Sequence, residues 1–110
     1  MDPIKGVLSE ELENSERILK RYRQELDSLP KGSLVAKKIK GGVFYYVAHR
    51  EGGKVKFDYR GKLSVSDVEK LQKAQKMRAK YRGEISKVRK QIVYLKRVLH
   101  ERKRRKSRAG

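Results

Sequence analysis

The sequence predicts an α+β fold: an N-terminal helix, a three-stranded antiparallel β-meander, and a long C-terminal helix pairing with the first as an antiparallel coiled coil. Three observations predict it. Apolar residues recur at steps of three and four near both ends of the chain. Six of the nine glycines fall between residues 32 and 61. The stretch they punctuate is rich in aromatic and β-branched residues, which suit strands. With 110 residues there is room for one domain, or a small domain with a helical extension. The expected order is a helix over 1–30, a sheet over 31–63, a long heptad-patterned helix over 64–101 and a basic tail over 102–110.

The first helix is expected over residues 9–29. Ser9 serves as its N-cap, and Glu10 and Glu11 place acid in the first turn. Leu12, Leu19, Tyr22, Leu26 and Leu29 form a heptad stripe with Ser15 in its polar slot. Pro30 and Gly32 stop the helix. Such a stripe fits an amphipathic helix on a core as well as a coiled coil.

Three strands are expected at 34–40, 43–50 and 54–59, joined by Gly41-Gly42 and Gly52-Gly53 turns. Lys40 would then face Val43, and Glu51 would face Lys54. One face gathers Val35, Ile39, Phe44, Tyr46, Ala48, Val55, Phe57 and Tyr59, and is expected to be buried against the helices. The other gathers Lys38, Lys40, Tyr45, Val47, His49, Lys54 and Lys56, with Asp58 as its acid. Basic side chains interleaved with an aromatic suit a nucleic-acid surface, although exposed lysines also protect strands from aggregation.

The second helix is expected over residues 66–105, opening on the cap-like string Ser64-Val65-Ser66-Asp67, with Glu69 as the capping-box partner of Ser66. Tyr81, Ile85, Val88, Ile92, Leu95 and Leu99 carry its stripe, which Val68, Leu71, Ala74 and Met77 extend upstream. Gly83 is the weak point, a place for a kink. This helix is about twice as long as the first. If the first covers its proximal half, the row Val88, Ile92, Leu95 and Leu99 lies bare and marks a protein interface. A homodimer through this seam and docking onto a different protein are both open, the dimer being preferred.

Charge narrows the function. Lys and Arg number 31 against 13 Asp and Glu, a net of +18. Residues 1–33 carry a net of −1 and residues 34–110 carry +19. Self-repulsion on this scale favours a polyanionic partner over stand-alone metabolic catalysis. The run Arg102, Lys103, Arg104, Arg105, Lys106 and Arg108 reads as a phosphate-binding arm, and a localisation signal or anionic-membrane patch would have the same composition. There is no Cys, which excludes disulfides and thiolate zinc sites. His49 and His100 stand 51 residues apart with no clustered carboxylates, so no metal or cofactor is expected. No leader or membrane-spanning run is visible, and the stripe before the basic run is a narrow heptad seam, so a cytoplasmic protein with no membrane partner is expected.

Three resemblances add to this reading. Gly42-Val43-Phe44-Tyr45-Tyr46 followed by Tyr59-Arg60-Gly61-Lys62 resembles the two halves of the GIY-YIG nuclease signature. That likeness implies Tyr45 and Tyr59 as the tyrosines, Arg78 or Arg82 as the arginine, and Glu84 or Glu101 as metal ligand. The gap between the halves is too long, however, and Arg60 replaces a small apolar residue. A meander feeding a helix, over residues 34–75, resembles the arm-type DNA-binding domain of tyrosine integrases. The strings Leu29-Pro30-Lys31-Gly32-Ser33-Leu34, Arg50-Glu51-Gly52-Gly53-Lys54 and Tyr59-Arg60-Gly61-Lys62-Leu63 resemble a group of small uncharacterised prokaryotic proteins, which implies a helix–sheet–helix plan and no activity.

The function expected is non-enzymatic nucleic-acid binding, to DNA or RNA. Contacts are expected from Lys38, Lys40, Tyr45, His49, Lys54 and Lys56 on the sheet, from Lys87 and Lys90 on the helix, and from the 102–108 run. The alternative is a coiled-coil adaptor or inhibitor, of the kind encoded by phages or plasmids, that docks on a nucleoprotein complex. A GIY-YIG-like nuclease is the remote alternative.

Overall fold

The computed structural model describes the backbone of residues 2–109 and the side chains of residues 2–104. The order is α1 (Pro3–Ser28), β1 (Ser33–Ile39), β2 (Gly42–Glu51), β3 (Lys54–Gly61) and α2 (Val65–Ala109). This is the α+β helix–sheet–helix layout, with one antiparallel sheet in the order β1-β2-β3. The chain forms two compact units: Met1–Leu26 with Tyr81–Gly110, and Asp27–Lys80.

In the first unit α1 pairs antiparallel with the distal part of α2. The Tyr22 and Tyr81 rings lie 5.8 Å apart. Farther along, Gln91 donates to Glu11 (3.3 Å), and Arg102 meets Asp2. Ile92 and Leu95 are the buried apolar residues of this seam, 7% and 4% exposed, with Val88 and Leu99 half-buried beside them. The stripe expected to lie bare as a protein interface is therefore covered by α1. The expectation failed because α1 covers the distal part of α2, whereas residues before 81 belong to the unit that contains the sheet. Ser15, in the polar slot of the α1 stripe, is 2% exposed; its small side chain suits close helix packing.

α1 begins six residues earlier than expected, because Asp2-Pro3 is its start signal. The Asp2 carboxylate accepts from the backbone N–H of Ile4 (3.1 Å) and Lys5 (3.3 Å), and Pro3 takes the first helical position, where a missing N–H is harmless. Arg102 grips the same carboxylate with two hydrogen bonds of 2.9 Å. That grip, with the backbone donors, holds the Asp2 carboxyl at a pKa of about 2 against an ordinary 3.8. A carboxyl depressed by folding stabilises the folded state above its unfolded pKa. Its contribution is thus complete above pH 3.8 and is lost as pH falls through about 2. Acid titration followed by circular dichroism should show Asp2→Asn less stable than the parent at neutral pH, with the gap closing below pH 3. A constant gap would contradict this linkage.

α2 is capped by Ser64 and not by Ser66: the Ser64 hydroxyl accepts from the N–H of Asp67 (3.1 Å), and its carbonyl accepts from Val68 (3.0 Å). The helix runs without interruption through Gly83 and onward through the stretch expected to be a separate tail. A Cβ at Gly83 would meet nothing within 4 Å. Gly83→Ala should accordingly raise stability by about 0.5–1 kcal/mol in urea melts, because only chain entropy changes.

In the second unit the sheet rests on the proximal part of α2. The N–H of Leu34 donates to Gln75 Oε1 (3.3 Å), and Arg78 donates to the Pro30 carbonyl (3.0 Å). Val47, Ala74 and Arg78 are each 6% exposed and form the buried centre of this unit.

Candidate functional site

The sheet presents the opposite face from the one expected. Val47 is buried, with Leu34, Tyr45 and His49 half-buried on the same face. The face carrying most of the aromatics is open: Val55, Phe57 and Tyr59 are 54%, 57% and 60% exposed, and Ile39 is 46% exposed. Phe44 and Tyr46 are half-buried, mainly among their neighbours on this face.

Turn chemistry and one bulge build the face. β1 and β2 are slid by two residues from the expected register: Ile39 faces Gly42 and Lys38 faces Val43. The turn is Lys40-Gly41, both with positive φ (48° and 81°), the pattern of a type I′ hairpin. Holding Lys40 left-handed costs about 1–2 kcal/mol. The register offsets this by setting Leu34 against Val47 inside and Val35 against Tyr46 outside. The second turn, Gly52-Gly53, pairs Glu51 with Lys54 as expected.

A bulge at Arg60 then lets Gly61 pair with Tyr45 while Tyr59 pairs with Tyr46. The extra residue reverses the alternation, so Lys62 falls on the aromatic face, with its Nζ 5.8 Å from the Phe44 ring. On the same face Tyr59 lies 5.2 Å from Tyr46 and 6.5 Å from Phe44, ring centre to ring centre. Lys37 Nζ sits 4.9 Å from the Tyr46 centroid and 6.0 Å from that of Phe57.

The residues expected to contact nucleic acid are dispersed. Lys38, Lys54 and Lys56 are exposed on the partly covered face, Lys40 lies in the turn, and Tyr45 and His49 are half-buried. His49 Nε2 is 2.9 Å from Asp58 Oδ2, and Lys56 is 3.5 Å from Glu51; both are diagonal pairs across β2 and β3. Part of that face is thus engaged, by the Leu34 contact with Gln75 of α2 and by the two local acids, while Lys38, Lys54 and Lys56 stay open to solvent. On α2, Lys90, Lys103 and Arg104 are exposed, and Lys87 makes a solvent-screened pair with Glu84 at 3.7 Å. Arg102 is held by Asp2. The side chains of Arg105, Lys106 and Arg108 lie outside the described residues.

α2 also carries a proximal row of exposed cations, Lys70, Lys73, Lys76 and Lys80, at helical steps of three and four, which the apolar periodicity does not single out. The whole helix carries 17 Lys and Arg against four Asp and Glu. Its distal part also shows an exposed patch of Arg82, Arg89 and Lys90 around Val93, which is 64% exposed.

The nuclease-like constellation does not assemble on the sheet. Tyr45 and Tyr59 point to opposite faces, and Arg78 is tied to the Pro30 carbonyl. Among the described residues no group of three or more His, Asp or Glu is placed to hold a metal ion. No described helix is long and apolar enough to cross a membrane.

Fold and surface together define a small basic helix–sheet–helix protein with an uncovered aromatic sheet face. A family model described as "Domain of unknown function (DUF6788)" matches residues 4–70, and the chain belongs to that family. The match takes in α1, the whole sheet and the opening of α2. Neither the curated proteins nor the solved structures return a match.

Proposed function

We propose that this protein binds nucleic acid without catalysing a reaction on it, chiefly through phosphate contacts along α2. The observation that carries this reading is the placement of charge. Each compact unit has a formal net charge of +9: 17 basic against eight acidic side chains in one, and 14 against five in the other. Among the described residues Lys56, Lys87, Lys96 and Arg102 pair with acids, while Lys70, Lys73, Lys76 and Lys80 on α2 stay exposed to solvent. A polyanion releases its condensed counterions onto such a surface, and that release is the main driving force. Phosphate contacts fix position but carry no sequence information, so low sequence specificity follows.

Fluorescence anisotropy with a labelled oligonucleotide tests it. Affinity should fall about 10³-fold or more between 50 and 200 mM salt, the slope of six or more phosphate contacts. Replacing Lys70, Lys73, Lys76 and Lys80 by Gln should weaken binding and flatten that slope. Absence of binding at 50 mM salt would refute the reading.

A further inference from the structure

We infer that the open aromatic face of the sheet is a stacking platform for single-stranded nucleic acid, with the bases lying on its rings. This rests on the polyanion-binding reading above and assigns it a second surface and a substrate class.

The four rings involved are Phe44, Tyr46, Phe57 and Tyr59. Phe57 and Tyr59 are more than half exposed, although a soluble fold ordinarily turns such side chains inward. Tyr59 lies 5.2 Å from Tyr46 and 6.5 Å from Phe44, ring centre to ring centre, and Lys37 Nζ, 4.9 Å from the Tyr46 ring, lies 6.0 Å from that of Phe57. The rings form one patch on adjacent strands.

The patch has a charge of one sign. Lys37 and Lys62 lean over its rings, at 4.9 Å from Tyr46 and 5.8 Å from Phe44. The strand register adds Arg50 to the same face, and the nearby acids Glu51 and Asp58 alternate onto the other. Rings flanked only by cations are complementary to a ligand that offers flat π surfaces joined by anions. Single-stranded nucleic acid is that ligand: each base has a face to stack, and each linkage has a phosphate for a lysine. Duplex fits poorly, because its base faces are already occupied by their neighbours. A second copy of this chain also fits poorly, since two-fold pairing would set Lys37, Arg50 and Lys62 against the same cations.

The experiment uses the absence of Trp from the chain. Tyr59→Trp places one indole at the exposed centre of the patch, and a stacked base quenches indole emission. Adding a 20-nucleotide single strand to saturation, with saturation read independently from the anisotropy of a label on the oligonucleotide, should quench that emission; a duplex of equal length should not. In parallel, Phe57→Ala with Tyr59→Ala should weaken single-strand binding by about tenfold or more per ring, with duplex affinity unchanged; this corresponds to about 1–3 kcal/mol per stacked base. Emission that does not change at saturation overturns the platform while leaving the phosphate-binding reading intact. So does an equal loss for both substrates in the double variant. If the parent binds neither substrate at 50 mM salt, the broader reading fails first. Quenching by an apolar peptide and not by the single strand would reassign the face to a protein partner, and would also overturn the proposal.

Discussion

Gly32→Ala is expected to unfold most of the unit formed by residues 27–80. Gly32 has φ +101°, a region closed to residues with a Cβ, so the backbone strain alone amounts to about 1–3 kcal/mol. The new methyl group would also collide with Val47 Cγ1 and stand 3.0 Å from the Ala48 carbonyl oxygen. Val47 is 6% exposed, so it has no solvent to retreat into. Overpacking of this kind adds about 1–3 kcal/mol. Together they remove about 2–6 kcal/mol, comparable to the whole stability of a unit this size. Urea melts followed by circular dichroism, with amide exchange on the strands, would measure it. A loss below about 1 kcal/mol would show that β2 does not hold Val47 against Gly32.

How far the sequence could reveal these features follows from the same residues. Gly32 was readable as the end of a helix, since Pro30 and Gly32 are local signals. Its second role was not, because that depends on which way β2 faces. Period-two alternation sorts side chains into two faces and leaves open which face meets the helix. The greater number of large apolar residues on the aromatic face favours it as core. A contrary signal was present: Lys37 and Arg50 alternate onto that same face, and two cations seldom lie within a core. The bulge at Arg60, which brings Lys62 there too, leaves no period-two trace before the strands are paired.

The second helix gives the same lesson over a longer range. Its heptad stripe was legible from Val68 to Leu99, but a stripe does not name its partner. In the fold the upstream part serves the sheet unit and the distal part serves α1, so one periodic pattern meets two different surfaces. Charge was the feature read most directly. Which cations stay open depends on acids distant in sequence: Asp2 engages Arg102 from 100 residues away.

The distal stripe supplies the other large effect. Leu95 is 4% exposed in the seam with α1, so Leu95→Ala should destabilise this unit by about 3 kcal/mol, the side-chain transfer loss plus a cavity. Val93, two residues away and 64% exposed, is the control: Val93→Ala should change stability by less than about 0.5 kcal/mol. Thermal melts at several protein concentrations, with light scattering for mass, separate an internal seam from one between chains. An internal seam gives a midpoint for Leu95→Ala that is lowered and independent of concentration, with unchanged mass. A seam between chains would give a concentration-dependent midpoint and a halved mass, and α1 would then not be the cover of Ile92 and Leu95. Ser15 sharpens the contrast. Completing the heptad with Ser15→Leu would strengthen an open coiled-coil stripe, but Ser15 is 2% exposed. The larger side chain has no room there and should cost about 1–3 kcal/mol.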